Sequence, residues 1–377
     1  MGHQGAGRSR RTIIAALSAV VLAVTGLMGA RPAQAQSPNE DELRQTGAAL
    51  EQRLEHIEAV GFGLPQESSQ DESNPLALSP AAEETLAEAE THAKQRSAGR
   101  KERGLVLLSS NVSLASYEVI EETADVVRVS YKYLHVRELP ELQGDDSWQE
   151  ISEHEVTLDP DSGMVKTIII KDRDYYDALA AEEEVSTGEP GSLDGPSTEL
   201  NLEASSAPQD DPEAAAPQEL SSAQRQNVAD CALQWWNSKN DNYPMDYAND
   251  CTNFTSQALH AGGWQFQYGL WRSNWAWWGY NRRVPPKASY PWGGAENFYR
   301  YAAQNTGRTS IHRYMSQIRV GDILQYRADG YTNMNHSMVV TKKDSRTFYL
   351  TYHTDDTRNR PFTDIDPTGK TWYAHKV

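Results

Sequence analysis

The sequence predicts an α+β chain in which a small domain with an antiparallel sheet precedes a second domain that packs a helix on an antiparallel sheet. Three observations carry that expectation. The chain has 377 residues, more than one ordinary domain of roughly 100–200 residues holds. Short runs that alternate apolar and polar residues, separated by turn formers, recur on both sides of the middle. Composition then breaks sharply near Ser221: nine of the ten tryptophans lie beyond it, from Trp235 to Trp372.

Residues 1–35 read as an export signal rather than structure. Arg8, Arg10 and Arg11 precede an apolar run from Ile13 to Met28, and Ala33-Gln34-Ala35 is a small-residue cleavage site. The mature chain is expected to begin near Gln36 and to be secreted. Ser9-Arg10-Arg11-Thr12-Ile13-Ile14 also fits a twin-arginine export address. A retained anchor would need about 20 apolar residues, more than this run offers, and no membrane span is expected after signal removal.

Residues 36–100 are read as a helical segment. Leu43, Leu50, Leu54 and Ile57 recur at helical spacing, with Gly61 and Gly63 as the stop, and 81–96 are rich in Ala and Glu. Residues 101–181 are read as the small α+β domain. Leu105–Ser109, Val112–Ile120 and the alternating Val127, Val129, Tyr131, Tyr133 and His135 predict strands. Glu155–Leu158 and Val165–Ile170 face each other across the turn Asp159-Pro160-Asp161-Ser162-Gly163. His135 and His154 stand singly on strand patterns, the usual place of a structural histidine. From 182 to 220, Glu, Ser, Pro and Ala dominate with almost no aromatic or β-branched content; such a segment cannot bury enough apolar surface to order itself and reads as a disordered acidic linker.

Charge divides the same way. Residues 221–377 hold 18 Lys and Arg against 12 Asp and Glu, a surplus of +6, so residues 1–220 hold −24 of the chain's −18. A mildly basic C-terminal domain suits an anionic polymer, but it has neither the basicity nor the module for nucleic-acid binding. No glycine-rich phosphate loop is present. The only cysteines are Cys231 and Cys251, so the chain is no disulfide scaffold, although one bridge between them would close a short loop.

The chemistry-bearing residues fall in this second domain. Asp250 reads as an N-cap and Gly262-Gly263 as a stop, which predicts a helix whose first turn carries Cys251. Unpaired N–H groups and the positive dipole end favour thiolate there and can face an oxyanion. His260, nine residues on, points to the other side and cannot serve as the base. Gly321–Tyr326 reads as turn and strand, His336–Thr341 as a strand opening on histidine, and Thr347–His353 as a third strand closing on another. Antiparallel pairing would put His353 beside the start of the preceding strand, where it could fix the tautomer of His336. Asp355, Asp356 and Asn359 are alternatives for that orienting role. Tyr243, Tyr247 and Asn249 are candidates to complete an oxyanion hole. Trp271–Trp278 could line a groove or pack a core equally well. His336, His353 and Asp355 could in principle gather zinc, but no His-Glu-x-x-His helix or paired-Cys motif accompanies them; no metal or cofactor is expected.

Taken in order, Asp-Cys-Thr-Asn-Phe-x-Ser-Gln-x-Leu-x-x-Gly-Gly from Asp250, Gly-Asp-Ile-Leu-Gln-Tyr from Gly321, His-Ser-x-Val-Val-Thr from His336 and Tyr-His-Thr from Tyr352 resemble the putative amidase domain family. That family is similar to the papain-like NlpC/P60 and CHAP cysteine amidases, which cleave amide bonds of cell-wall peptides. The resemblance covers residues 222–377 and implies a papain-like domain over 221–377. It implies Cys251 as nucleophile, His336 as base, His353 as the third polar residue, and peptidoglycan or another peptide or amide as substrate. Ala258 stands where many members carry a second cysteine, and Cys231 where a small apolar residue is expected. The chain is expected to act as a monomer. The competing expectation is a wall-binding module that keeps the scaffold without turnover. The N-terminal half could position the enzyme, bind a partner or cover the site as a pro-region.

Overall fold

The computed structural model describes residues 38–65, 76–171, 219–243, 249–280 and 286–377. The expected signal, nearly all of the expected linker and Tyr247 lie outside the described residues.

Two helices open the described chain because their ends are chemically marked. Helix α1 spans Glu40–Phe62, and the Asn39 side chain accepts from the backbone of Asp41 and Glu42 while Glu42 returns a bond to Asn39 N. Gly61 stays inside the helix; Gly63, at φ 66°, ends it. Helix α2, Pro80–Glu102, starts with the Ser79 hydroxyl accepting from Ala82 N and Pro80 in its first turn. Their buried stripes, Leu43, Leu50 and Leu54 with Ala82, Leu86 and Ala89, lie on the first four strands. The Tyr131 and Tyr133 hydroxyls donate to the carbonyls of Leu43 (2.8 Å) and Gly47 (3.0 Å), so buried rings on the sheet also hold α1.

Those strands are β1 (Ser109–Glu122), β2 (Val127–Glu138), β3 (Trp148–Leu158) and β4 (Val165–Lys171). After them come α3 (Ser222–Trp235), α4 (Cys251–Ala261), and strands β5 (Ser310–Ile311), β6 (Ile323–Ala328), β7 (His336–Lys343), β8 (Phe348–Tyr352), β9 (Thr357–Pro361) and β10 (Lys370–Lys376). All ten strands join one antiparallel sheet, ordered β1-β2-β3-β9-β8-β7-β6-β10-β5, with β4 also on β3. The fold is α+β, as expected. Its two halves meet where Gln149 and Glu150 of β3 pair with Arg358 and Thr357 of β9. Arg100 of α2 crosses the same seam to Asp364 at 2.6 Å, and Tyr349 of β8 packs on Leu139, Leu142 and Trp148.

In the second half the sheet is apolar on both faces. Ile323 and Val339 meet Phe254, Ala258 and Leu259 of α4, Val228 of α3, and the rings of Trp277 and Trp292. Leu324, Tyr326, Met338, Val340, Leu350, Tyr352 and Trp372 form a separate cluster on the other side. Each buried aliphatic chain stabilises by roughly 1.5–3 kcal/mol, so α4 is clamped onto β7 mainly by apolar burial. That clamp positions the site.

Candidate active site

Cys251 is the first residue of α4 and is buried. The residue before it departs from the expectation. Asp250 adopts φ −101° and ψ −1° and its carboxylate caps no backbone N–H. A capping residue needs an extended backbone to turn its side chain back over the first turn, and this one is helical. Instead Asn253 Nδ2 donates to Asp250 Oδ1 (2.7 Å), and Asp250 Oδ2 meets His353 Nδ1 at 2.8 Å. No side-chain oxygen therefore covers the helix start beside Cys251.

The Thr252, Asn253, Thr255 and Ser256 side chains of this buried helix each have a defined partner. Thr252 Oγ1 lies 2.9 Å from Ser337 Oγ, the Thr255 hydroxyl donates to the Cys251 carbonyl (2.8 Å), and Trp277 Nε1 donates to Ser256 Oγ (3.1 Å). Trp292 Nε1 donates to Asn253 Oδ1 at 2.5 Å. Behind Ser337 the network continues: Gln325 Nε2 donates to Ser337 Oγ (2.8 Å), His375 Nε2 meets Gln325 Oε1 (2.9 Å), and Thr309 Oγ1 lies 2.8 Å from His375 Nδ1. Burial pushes His375 down to about 3, so it is neutral at ordinary pH. Nε2 must then donate to the amide oxygen, leaving Nδ1 to accept from Thr309. Cys251 Sγ sits 3.7 Å from Thr252 Oγ1, at the near end of this chain.

The Thr252–Ser337 bond joins the residue after Cys251 to the residue after His336, which brings the helix start and the strand start together. Alternation along β7 sends the His336 side chain to the face opposite Ser337. There it is buried, lies edge-on to Tyr352 with ring centroids 4.9 Å apart, and pairs across strands with Tyr326.

His353 is not beside His336. Its Nδ1 is held by Asp250 and its Nε2 by the Trp235 carbonyl at 2.7 Å, and its ring lies 4.2 Å from that of Phe254. This corrects the expectation that it fixes the His336 tautomer, and the reason is a β-bulge. The pairs Lys343↔Phe348 and Lys342↔Tyr349 give way to Val340↔Leu350 and Val339↔Thr351. One residue is gained on β7, the faces exchange, and extending the ladder puts His353 opposite Ser337. Burial alone would lower the His353 pKa, but the Asp250 bond, the charge of Asp356 and the Trp235 carbonyl raise it. Two acceptors on one ring require both nitrogens to carry protons.

The other candidates have definite places. Asn359 is turned away: its Nδ2 donates to the Asp146 carbonyl (3.1 Å) and its Oδ1 accepts from Thr341 (2.8 Å). Burial raises the Asp356 carboxyl. Tyr243 stacks on Trp292 at 5.5 Å, and Asn249 is exposed. His260 stacks on Phe266 at 4.1 Å and bonds the Trp264 carbonyl, a packing role. Cys231 and Cys251 are both free thiols, so no bridge closes the loop between them, and burial pushes Cys231 up to about 11.

Residues 222–376 match the model of the family described as the putative amidase domain. A putative amidase domain is thus present over these residues. Two relatives are similar to part of this chain, both from Bacillus subtilis (strain 168). Uncharacterized protein YhbB is 29% identical over 149 residues, 37% of this chain and 44% of YhbB. Uncharacterized protein YjcM is 28% identical over 131 residues, 32% of this chain and 28% of YjcM. The chain thus spans less than half the length of either relative. No solved structure matches it.

The Gly321-Asp322 pair of the amidase domain proves to be a docking point for α3. Asp322 is fully buried, binds Arg225 Nη1 (2.5 Å) and His312 Nε2 (2.9 Å), and accepts from Arg319 N (2.8 Å). Gly321 has φ +87°, and a Cβ there would lie 2.8 Å from the Arg225 backbone. Thr252, Gln325, Ser337 and His375 were not singled out in the sequence. Ser337 alone carried a signal, because strand alternation places it on the helix-facing side of the histidine strand.

Proposed function

We propose that the amidase domain is a cysteine amidohydrolase. The Cys251 thiolate attacks an amide carbonyl carbon, and the oxyanion is met by first-turn N–H groups of α4. His336 protonates the leaving amine as the C–N bond breaks, giving a thioester on Cys251. His336 then takes a proton from water, the thioester is hydrolysed, and a carboxylic acid leaves with the thiolate restored. The observation that carries this reading is the 2.9 Å Thr252–Ser337 contact, which fixes the residues next to the nucleophile and the base against each other. His353 takes a different part, as a cation holding Asp250 beneath the nucleophile helix.

The arginine-led apolar leader and the likeness to cell-wall amidases support a secreted, papain-like enzyme acting on peptide or amide bonds of peptidoglycan. The test is a digest of purified wall peptides analysed by mass. New amine and carboxylate termini should form with the intact protein and not with Cys251→Ala. A second reading, a wall-binding module without turnover, is favoured by one observation: alternation along β7 directs His336 away from α4. Retention on wall material with no Cys251-dependent product would establish that reading instead.

A further inference from the structure

Cys251 takes no part in a half-open cavity of about 90 Å³ that lies at the seam between the two halves, under α1 and α2. A single water needs only about 10–15 Å³ by such a measure, so the space admits a small organic molecule. Its walls are charged. Arg96, Arg100, Arg137 and Arg360 face Glu58, Glu150 and Asp364. Arg137 grips Glu58 with two bonds (2.9 and 2.8 Å) and Glu150 with one (2.6 Å). Arg100 and Arg360 share Asp364 at 2.6 and 2.7 Å. Three cations are thereby matched to three carboxylates. Arg96 is left over, with no ion pair among the described residues and its Nε–H buried without a partner.

Two more lining groups are buried and unsatisfied. Trp148 is 1% exposed and its indole N–H has no acceptor; His154 is 3% exposed and its Nδ1 has no partner. Buried polar atoms without partners cost about 1–3 kcal/mol each, so three around one cavity mark a place shaped for something else. His154 Nε2 lies 2.9 Å from Ser152 Oγ, which lies 2.7 Å from His135 Nε2. Burial, followed by His135, pushes His154 down to about 3, so it is neutral and carries one proton. His135 Nδ1 faces the Glu58 carboxylate, so a neutral His135 accepts from Ser152 at Nε2, the His154 Nε2–H donates to Ser152 Oγ, and His154 Nδ1 is left as an acceptor. Arg96 and Trp148 then present two N–H donors, beside the His154 Nδ1 acceptor, around a single unmatched positive charge.

We propose that this cavity is a binding site for a small carboxylate monoanion, which joins α2 to β3 beside the seam. A carboxylate matches one uncompensated cation and two N–H donors, where a phosphate dianion would bring a second unmatched charge. The inference stands apart from the amidase reading, because none of these residues touches α4 or β7.

The test uses the secreted-length chain, residues 36–377, and acetate as the probe. Thermal unfolding is followed at neutral pH while sodium acetate replaces sodium chloride at fixed ionic strength, and ¹³C-acetate line broadening is read in parallel. The midpoint should rise saturably with acetate. Arg96→Met, at a half-buried position where the stem still packs, should weaken binding about tenfold or more, in line with loss of a charge-assisted bond. Arg96→Lys should recover part of it. No saturable shift, an equal shift in Arg96→Met, or inorganic phosphate outcompeting acetate would each overturn the proposal.

Discussion

Asp250 and His353 stand 103 positions apart in the chain, yet their side chains meet at 2.8 Å next to Cys251, the residue that opens α4. The imidazole is held on its other side by the Trp235 carbonyl, so the ring works as a two-handed donor between α3 and α4. That assignment has consequences for pH, for mutation and for which thiol reacts.

The first concerns His353 and pH. Its pKa is raised in the folded chain, so its stabilising contribution is fully present below the unfolded value of about 6.5 and is lost as pH rises through the folded value. Urea unfolding of the intact chain and His353→Gln should therefore differ most near pH 5.5, by about 1–3 kcal/mol. The gap should narrow toward pH 9. A gap that widens with pH would contradict the cation assignment.

Ser337 tests the link between helix and strand. Ser337→Ala takes the cross-strand partner from Thr252 Oγ1 and one of the two acceptors from Gln325 Nε2 in a buried site, and a loss of about 1–3 kcal/mol is expected. In a double-mutant cycle with Thr252→Ala the two losses should add to clearly more than the double mutant shows. Simple additivity would mean that the 2.9 Å contact carries no coupling.

Across the seam, Asp364→Asn removes the charge that both Arg100 and Arg360 use while keeping the side-chain shape. Breaking a buried pair from one side costs about 3–5 kcal/mol. Equilibrium unfolding should show that loss in a single transition, since one sheet runs through both halves. A fall confined to one of two separate transitions would show that the halves unfold independently.

Much of this site could be read from the chain. Cys251 at a helix start, His336 at a strand start and the hairpin leading to His353 are all local patterns, set by glycine stops and alternation. What escaped was decided by longer-range matters. The Asp250 cap failed because an imidazolium 103 positions away competes for the carboxylate. His353 changed faces because a single extra residue near Thr341 shifts the register, and no local pattern announces a bulge. Strand β9, Thr-Arg-Asn-Arg-Pro, looks like loop; it is buried only because Asp364, Tyr352 and Asp146 satisfy its polar side chains. His135 and His154 read singly as structural, and it takes the β2–β3 register to gather them with Ser152 around one cavity.

Cysteine chemistry gives the most direct test, because the two thiols differ in kind. Burial pushes Cys231 up to about 11, which leaves it almost wholly protonated at neutral pH. The rate of iodoacetamide alkylation should be measured from pH 5 to 10 on the intact chain, Cys251→Ala and His336→Gln, with the labelled residue identified by mass. A Cys251–His336 pair predicts fast labelling of Cys251 already below pH 7, absent in Cys251→Ala and shifted in His336→Gln to the rise near pH 8.5 of an ordinary thiol. Labelling of Cys251 that rises only above pH 8.5 in the intact chain, or that is unchanged in His336→Gln, would contradict the pairing on which the amidohydrolase proposal rests.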